Sequence, residues 1–156
     1  MSTPRNANNK KISKMILDWP AYLEAIKRIF AQIALKNEKF DIVVGLSRGG
    51  LIPAVMFSHT FNIPMISFNP HLLHVNGSPR APINLDISPA IIRRILIIDD
   101  ISDSGKTLNK SIKFFENCGF IVKTATVYTN EKTCCIPNFT LCTMNNWVTF
   151  PYEEKT

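Results

Sequence analysis

Residues 94 to 107 read Arg-Ile-Leu-Ile-Ile-Asp-Asp-Ile-Ser-Asp-Ser-Gly-Lys-Thr, and they constrain the chain more than any other segment. Ile95 to Ile98 form a buried strand that is expected to stop at two carboxylates, Asp99 and Asp100. A polar turn then carries a third, Asp103, and Gly105 to Thr107 open a helix. In an open α/β sheet, ligands sit just beyond the carboxyl ends of the strands. A helix N-terminus at that edge offers backbone N–H groups to a phosphate. Neighbouring carboxylates there suit sugar hydroxyls or a hydrated Mg²⁺. Phosphate, ribose and metal can thus be met by one short segment, and the combination points to a phosphorylated sugar.

Three other readings explain the segment less well. Gly105-Lys106-Thr107 ends like a P-loop, but that motif needs a glycine five positions earlier, where Asp100 stands. An acidic pair after an apolar strand also marks phospho-receiver domains, where it follows the first strand; here about ninety residues precede it. Plain helix capping by Asp and Ser is the bland reading. Three aspartates within five residues exceed what capping requires.

The rest of the chain fits a single α/β domain. Its 156 residues can bury a sizeable core, and its 46% hydrophobic and 19% charged residues are those of a globular protein. No apolar run approaches the ~20 residues of a membrane helix, and no secretory signal is visible at the N-terminus. The four cysteines (Cys118, Cys134, Cys135, Cys142) lack C-x-x-C spacing, so reduced thiols and a cytoplasmic location are expected. Of the net charge of +6, much lies in Arg5, Lys10, Lys11 and Lys14. Residues 1–14 read as a solvated, disordered tail before a domain at 15–156. The remaining excess can attract a polyanionic small substrate. Nucleic acid is not expected, because no basic stripe is interleaved with aromatics.

Asp18 reads as the N-cap of a helix reaching about Lys36, with Trp19, Leu23, Ile26, Phe30 and Ile33 on its core face. Asp41 to Leu46 is a strand ending in a Ser-Arg-Gly-Gly turn, 51 to 61 a helix, and Pro64 to Phe68 a strand. From Asn69 to about Asp86 the periodicity breaks, and a loop this long is functional or mobile. A helix after Gly105 carries Leu108, Ile112 and Phe115 and stops at Gly119. Phe120 to Tyr128 and Phe139 to Cys142 are further strands. Strands alternating with helices imply an open, mainly parallel twisted sheet with helices on both faces. Leu46, Phe68, Asp99 and Tyr128 would then end at one crest.

Ile95 to Ile98, Asp99, Asp100 and the Asp103-Ser104-Gly105-Lys106-Thr107 turn closely resemble the phosphoribosyl-diphosphate signature of type I phosphoribosyltransferases. Gly45-Leu46-Ser47-Arg48-Gly49-Gly50 falls some fifty residues earlier, where that family places its diphosphate-binding loop. Lys132 and the Trp147-to-Tyr152 tail resemble the bacterial xanthine–guanine group. The resemblance covers about residues 15 to 153. It implies the type I fold, with a small hood built from the N- and C-terminal segments.

The resemblance also implies roles. Arg48 and Gly49 would position diphosphate, through a peptide between them that is often cis in the family. Asp99 and Asp100 would hold the ribose hydroxyls and Mg²⁺. Backbone N–H groups of Asp103, Ser104, Gly105, Lys106 and Thr107, with the Ser104 and Thr107 hydroxyls, would grip the 5′-phosphate. Ile101 and Ser102 are further phosphoribosyl-diphosphate-binding positions, and Arg80 would be a loop contact to diphosphate. Asp103 would be the general base beside purine N7. Lys132, Trp147 and Val148 would bind the base, Lys132 at a 6-oxygen and Trp147 by stacking. His71 and His74 lie on the same loop as Arg80.

The implied reaction moves the phosphoribosyl group of phosphoribosyl diphosphate to N9 of guanine, xanthine or hypoxanthine, in purine salvage. Relatives are dimers or tetramers, so a homodimer or homotetramer is expected, without membrane or nucleic-acid partners. Two alternatives remain at this stage: a regulator that keeps the pocket as a sensor and binds nucleic acid, and a transferase for another base.

Overall fold

The computed structural model describes residues 14–77 and 93–153. Five strands form the main sheet: β2 (Ile42–Leu46), β3 (Met65–Phe68), β4 (Arg94–Ser102), β5 (Ile121–Asn130) and β6 (Phe139–Met144), in the spatial order β3-β2-β4-β5-β6 and all parallel. Three helices connect them: α1 (Trp19–Leu35) before β2, α2 (Leu51–Phe61) between β2 and β3, and α3 (Lys106–Asn117) between β4 and β5. This is the open, mainly parallel sheet flanked by helices that the sequence implies.

Burial on both faces explains the continuous apolar runs, which a parallel sheet covered by helices requires. Val43, Leu96, Ile98, Ala125 and Val127 point to one face, where they pack with Ile26, Ile29, Phe30 and Ile33 of α1 and Ala54 and Phe57 of α2. Ile42, Val44, Ile95 and Ile97 alternate to the other face and meet Leu108 and Phe115 of α3 with Phe68 and Phe120. Asp18 caps α1 by accepting the Ala21 amide at 2.8 Å. Trp19 departs from the expected core face and is 46% exposed. It occupies the first helical position, ahead of the turn where Tyr22 begins the buried stripe.

A second sheet pairs β1 (Lys14–Ile16) with β7 (Trp147–Thr149) in parallel. It builds the hood from the two ends of the described chain. Lys14, placed in the tail by the sequence, is thus the first residue of a strand, and the rest of that tail lies outside the described residues. Its alternation fixes the two sides: Met15 and Val148 pack inward, whereas Ile16 and Trp147 are exposed. Phe150, Tyr152 and Tyr22 of α1 join it to the core, with Tyr22 edge-on to both rings at 5.5 and 5.8 Å. Part of the expected irregular loop is a 3-10 segment, Pro70–Gly77. Among the described residues, no helix is long and apolar enough to cross a membrane.

Candidate active site

The strand order reverses between β2 and β4. The chain leaves β2 for β3 on one side and then crosses to β4 on the other, which opens a crevice at their carboxyl ends. The register sets what lines it. Gly45 pairs with Ile98, Leu46 with Phe68, and Asp99 with Thr126. Leu46, Phe68 and Asp99 therefore share one level, as expected. Tyr128 does not: it pairs with Ile101, two residues beyond Asp99. The strand carrying the acidic pair also runs on to Ser102 instead of stopping at Asp99. Ladder pairing with the long β5 holds Asp99, Ile101 and Ser102 extended, against the local preference of a polar turn.

A cleft of about 720 Å³ opens at this edge, lined by Ser47, Arg48, Gly49, Asn69, His71, Asp100, Tyr152 and Glu153. Its size is that of a small-molecule site. The 47–50 turn is packed hard against the acidic pair, because a Cβ added to Gly49 would overlap the Asp100 carboxylate. Only glycine lets backbone come so near. The chain has its cis peptide at Ser47–Arg48, one bond before the Arg48–Gly49 position expected; the two isomers have the same sequence.

Both aspartates are partly buried. Burial drives the Asp99 carboxyl well above the usual carboxylate range, and the charge of Asp100 adds to the effect. Burial also raises Asp100, while a hydrogen bond from the Tyr152 hydroxyl pulls the other way. That hydroxyl donates to Asp100 Oδ2, and the Ile101 amide donates to Oδ1 at 2.7 Å. The Asp100 amide donates to Asp99 Oδ1 at 3.0 Å. Two partly buried carboxylates that crowd each other form a hard-oxygen site short of positive charge. A Mg²⁺ ion, which takes one or two carboxylates and fills its remaining positions from water and substrate phosphate, fits this donor set.

The phosphate turn is built around Gly105, whose φ of 76° lies in the left-handed region. A Cβ there would also overlap Thr133 Oγ1 and the Cys135 amide, so conformation and packing both select glycine. Gly105 caps α3 without a side-chain hydrogen bond. The Ser104 hydroxyl accepts the Lys106 amide at a long 3.4 Å, and the first-turn amides of a helix are suited to an anion. Ser104 and Lys106 are exposed on this turn, and Thr107 is half-buried. Ser102 takes another part: its hydroxyl is buried and bonded to the Cys135 carbonyl and Thr133, both at 2.8 Å, bracing the turn from behind. Ile101 packs its side chain on the core.

The remaining predicted residues divide. Asp103 is exposed, and its Oδ1 accepts from Asn130 Nδ2 at 3.0 Å. Asn130 Oδ1 in turn accepts the Lys132 amide at 3.0 Å, so one side chain ties the third aspartate to the turn that carries the lysine. Lys132 itself is exposed and outside the cleft lining. Trp147 is 58% exposed on the face of β7 opposite Val148, whose side chain is buried in the core. Arg80 lies outside the described residues, and of His74 only the backbone is described.

Sequence reasoning missed Tyr152, Glu153 and Asn130. Tyr152 was visible as the aromatic that closes the Trp147 tail. Asn130 gave no signal beyond its place at the end of a strand.

The arrangement has relatives. The model of the phosphoribosyl transferase domain matches residues 13–151. An orotate phosphoribosyltransferase of Pyrobaculum islandicum is 28% identical over 76% of this chain, which spans only 59% of that relative's length. A xanthine-guanine phosphoribosyltransferase of Cereibacter sphaeroides is also 28% identical, over 75% of this chain and 71% of its own. The crystal structure of a purine phosphoribosyltransferase from Pyrococcus horikoshii Ot3 superposes with a TM-score of 0.75 at 29% identity, covering 92% of this chain and 96% of that one. With the acidic pair and the phosphate turn at the sheet's switch point, and a family match over nearly its whole length, this chain belongs to the phosphoribosyl transferase domain family.

Proposed function

We propose that the protein transfers the 5-phosphoribosyl group from phosphoribosyl diphosphate to N9 of a 6-oxopurine, releasing diphosphate, as a Mg²⁺-dependent enzyme of purine salvage. Guanine, xanthine and hypoxanthine are the acceptors considered, and the setting is a cytoplasmic homodimer or homotetramer. One observation carries the reading: the 47–50 turn is packed against the Asp99–Asp100 pair, with Arg48, Gly49 and Asp100 lining the cleft, and β4 leads directly into the glycine turn that opens α3. Together they supply ribose, diphosphate and 5′-phosphate contacts. The xanthine-guanine and purine relatives support a purine acceptor, and the orotate relative keeps a pyrimidine in the test.

The chemistry follows from charge. Breaking the bond from C1 to diphosphate builds positive charge on the sugar, as in glycoside cleavage. A bound Mg²⁺, held by Asp99 and Asp100, would supply charge neutralisation to the diphosphate. Arg48, exposed at the cleft, forks onto its oxygens, and the Gly49 backbone approaches it closely. The first-turn amides of α3, with Ser104 and Thr107, grip the 5′-phosphate. Asp103 receives the N7 proton as N9 attacks; the Asn130 amide fixes one carboxylate oxygen and leaves the other for that proton. Lys132 and Trp147, exposed side chains beyond the cleft lining, would reach the base to donate to the 6-oxygen and to stack, with backbone near Val148 at the 2-position.

The test is nucleotide formation from phosphoribosyl diphosphate and Mg²⁺ with guanine, xanthine, hypoxanthine, adenine and orotate in turn. Product from one or more oxopurines and not from adenine or orotate is expected. Orotidine phosphate alone would move the assignment to pyrimidines. Donor binding with no turnover on any base would make the pocket a sensor.

A further inference from the structure

Tyr152 sits where the hood meets the crevice. It follows the β7 strand by three residues, in the 3-10 turn Pro151–Glu153. Its ring stacks on Phe150 at 5.5 Å, with only 4° between the planes, and takes Tyr22 edge-on at 5.8 Å. Its hydroxyl reaches out of this aromatic cluster to Asp100 Oδ2, fifty-two residues away in sequence. The opposite oxygen is held by the Ile101 amide, and the Gly49 backbone closes the side of the carboxylate. Asp100 is thus clamped by three separate segments: its own strand, the arginine turn and the hood.

A free aspartate must lose rotamer freedom when it binds a ligand. A carboxylate already fixed from both oxygens presents its remaining lone pairs in one direction. We propose that Tyr152 is a positioning residue for the phosphoribosyl-diphosphate site, its hydroxyl orienting Asp100 toward the donor's ribose and linking the hood to that site. This rests on the donor assigned above. Tyr22 supplies an internal control. Its hydroxyl is buried beside that of Tyr152 and interacts with it, but it makes no hydrogen bond to Asp100, so removing it leaves the bond from Tyr152 to the carboxylate in place.

The experiment compares wild type, Tyr152→Phe and Tyr22→Phe in steady-state kinetics with the best base from the panel, each checked by its melting temperature. Both variants keep their rings, so both are expected to fold. Tyr152→Phe should raise the KM for phosphoribosyl diphosphate about tenfold, the size a hydrogen bond to a charged group carries. Its kcat should change less, and the KM for the base at saturating donor should stay within about twofold. Tyr22→Phe should leave the donor KM alone.

An unchanged donor KM in Tyr152→Phe, or an equal rise in Tyr22→Phe, overturns the role assigned to the hydroxyl while the transferase reading stands. If no base reacts, calorimetric titration with phosphoribosyl diphosphate and Mg²⁺ gives the same contrast. A wild type that neither reacts nor binds donor overturns both the function and this inference.

Discussion

Carboxylates meet the two ends of β4 in opposite circumstances. At the amino end, Asp41 accepts the amides of Arg93 and Arg94 at 2.9 and 2.8 Å. These backbone bonds hold its carboxyl below the usual range. Arg94 there also donates to the Lys39 carbonyl at 2.9 Å and pairs with Glu38. At the carboxyl end, burial and mutual repulsion raise Asp99, and burial raises Asp100. One end of the strand has its charges matched by donors. The other keeps two acids where neutral groups would be more stable, as sites that handle charged ligands commonly do. The difference separates what holds the fold from what acts on a substrate.

Replacing Asp99 by Asn should sharpen that contrast most. Nucleotide formation should fall by about two to three orders of magnitude, the scale of losing a charged group that stabilises a transition state. The same variant should melt above wild type at neutral pH. The sign follows from linkage: an acid raised in the folded state is ionised more readily in the unfolded chain. Its contribution to stability therefore falls as pH rises from about 4 toward the folded value. Gly49→Ala comes next, because its methyl would overlap the Asp100 carboxylate. The donor KM should rise by at least about tenfold, read with saturating base.

Asn130→Ala tests the third aspartate, which lies beyond the pair. It frees Asp103 Oδ1 and the Lys132 amide together. A loss of about ten- to hundredfold in kcat is expected, with the donor KM within a factor of two or so. The smallest effect belongs to the amino end. Asp41→Asn should leave turnover alone and cost under about 1 kcal/mol by urea melting, because the site is exposed. That cost should vanish in acid. A depressed carboxylate contributes its stability above about pH 4 and loses it as pH falls through the folded value.

Much of this was legible in the chain. Strand and helix order followed from apolar runs and caps: Asp18 before α1, Gly119 after α3, and buried runs at 42–46 and 95–98. The crevice could be placed because an acidic pair after a buried strand and a glycine turn after another must meet if the strands are parallel neighbours. What stayed hidden depends on contacts distant in sequence. Ladder pairing with β5 extended β4 through Asp99 to Ser102, a tertiary effect that overrides local turn preference. The β1–β7 pair joins two three-residue strands, too short to show a period. Tyr152 and Asn130 reach partners fifty-two and twenty-seven residues away. Ser102 matched a motif position, yet it serves the fold behind the turn.

The central claim is that the carboxyl end of β4 gives up stability to handle a phosphoribosyl donor. Wild type and Asp99→Asn should be measured side by side at neutral pH, for melting temperature and for nucleotide formed from phosphoribosyl diphosphate and an oxopurine with Mg²⁺. The account predicts a variant that melts higher and makes almost no product. A variant that melts lower and turns over like wild type would contradict it.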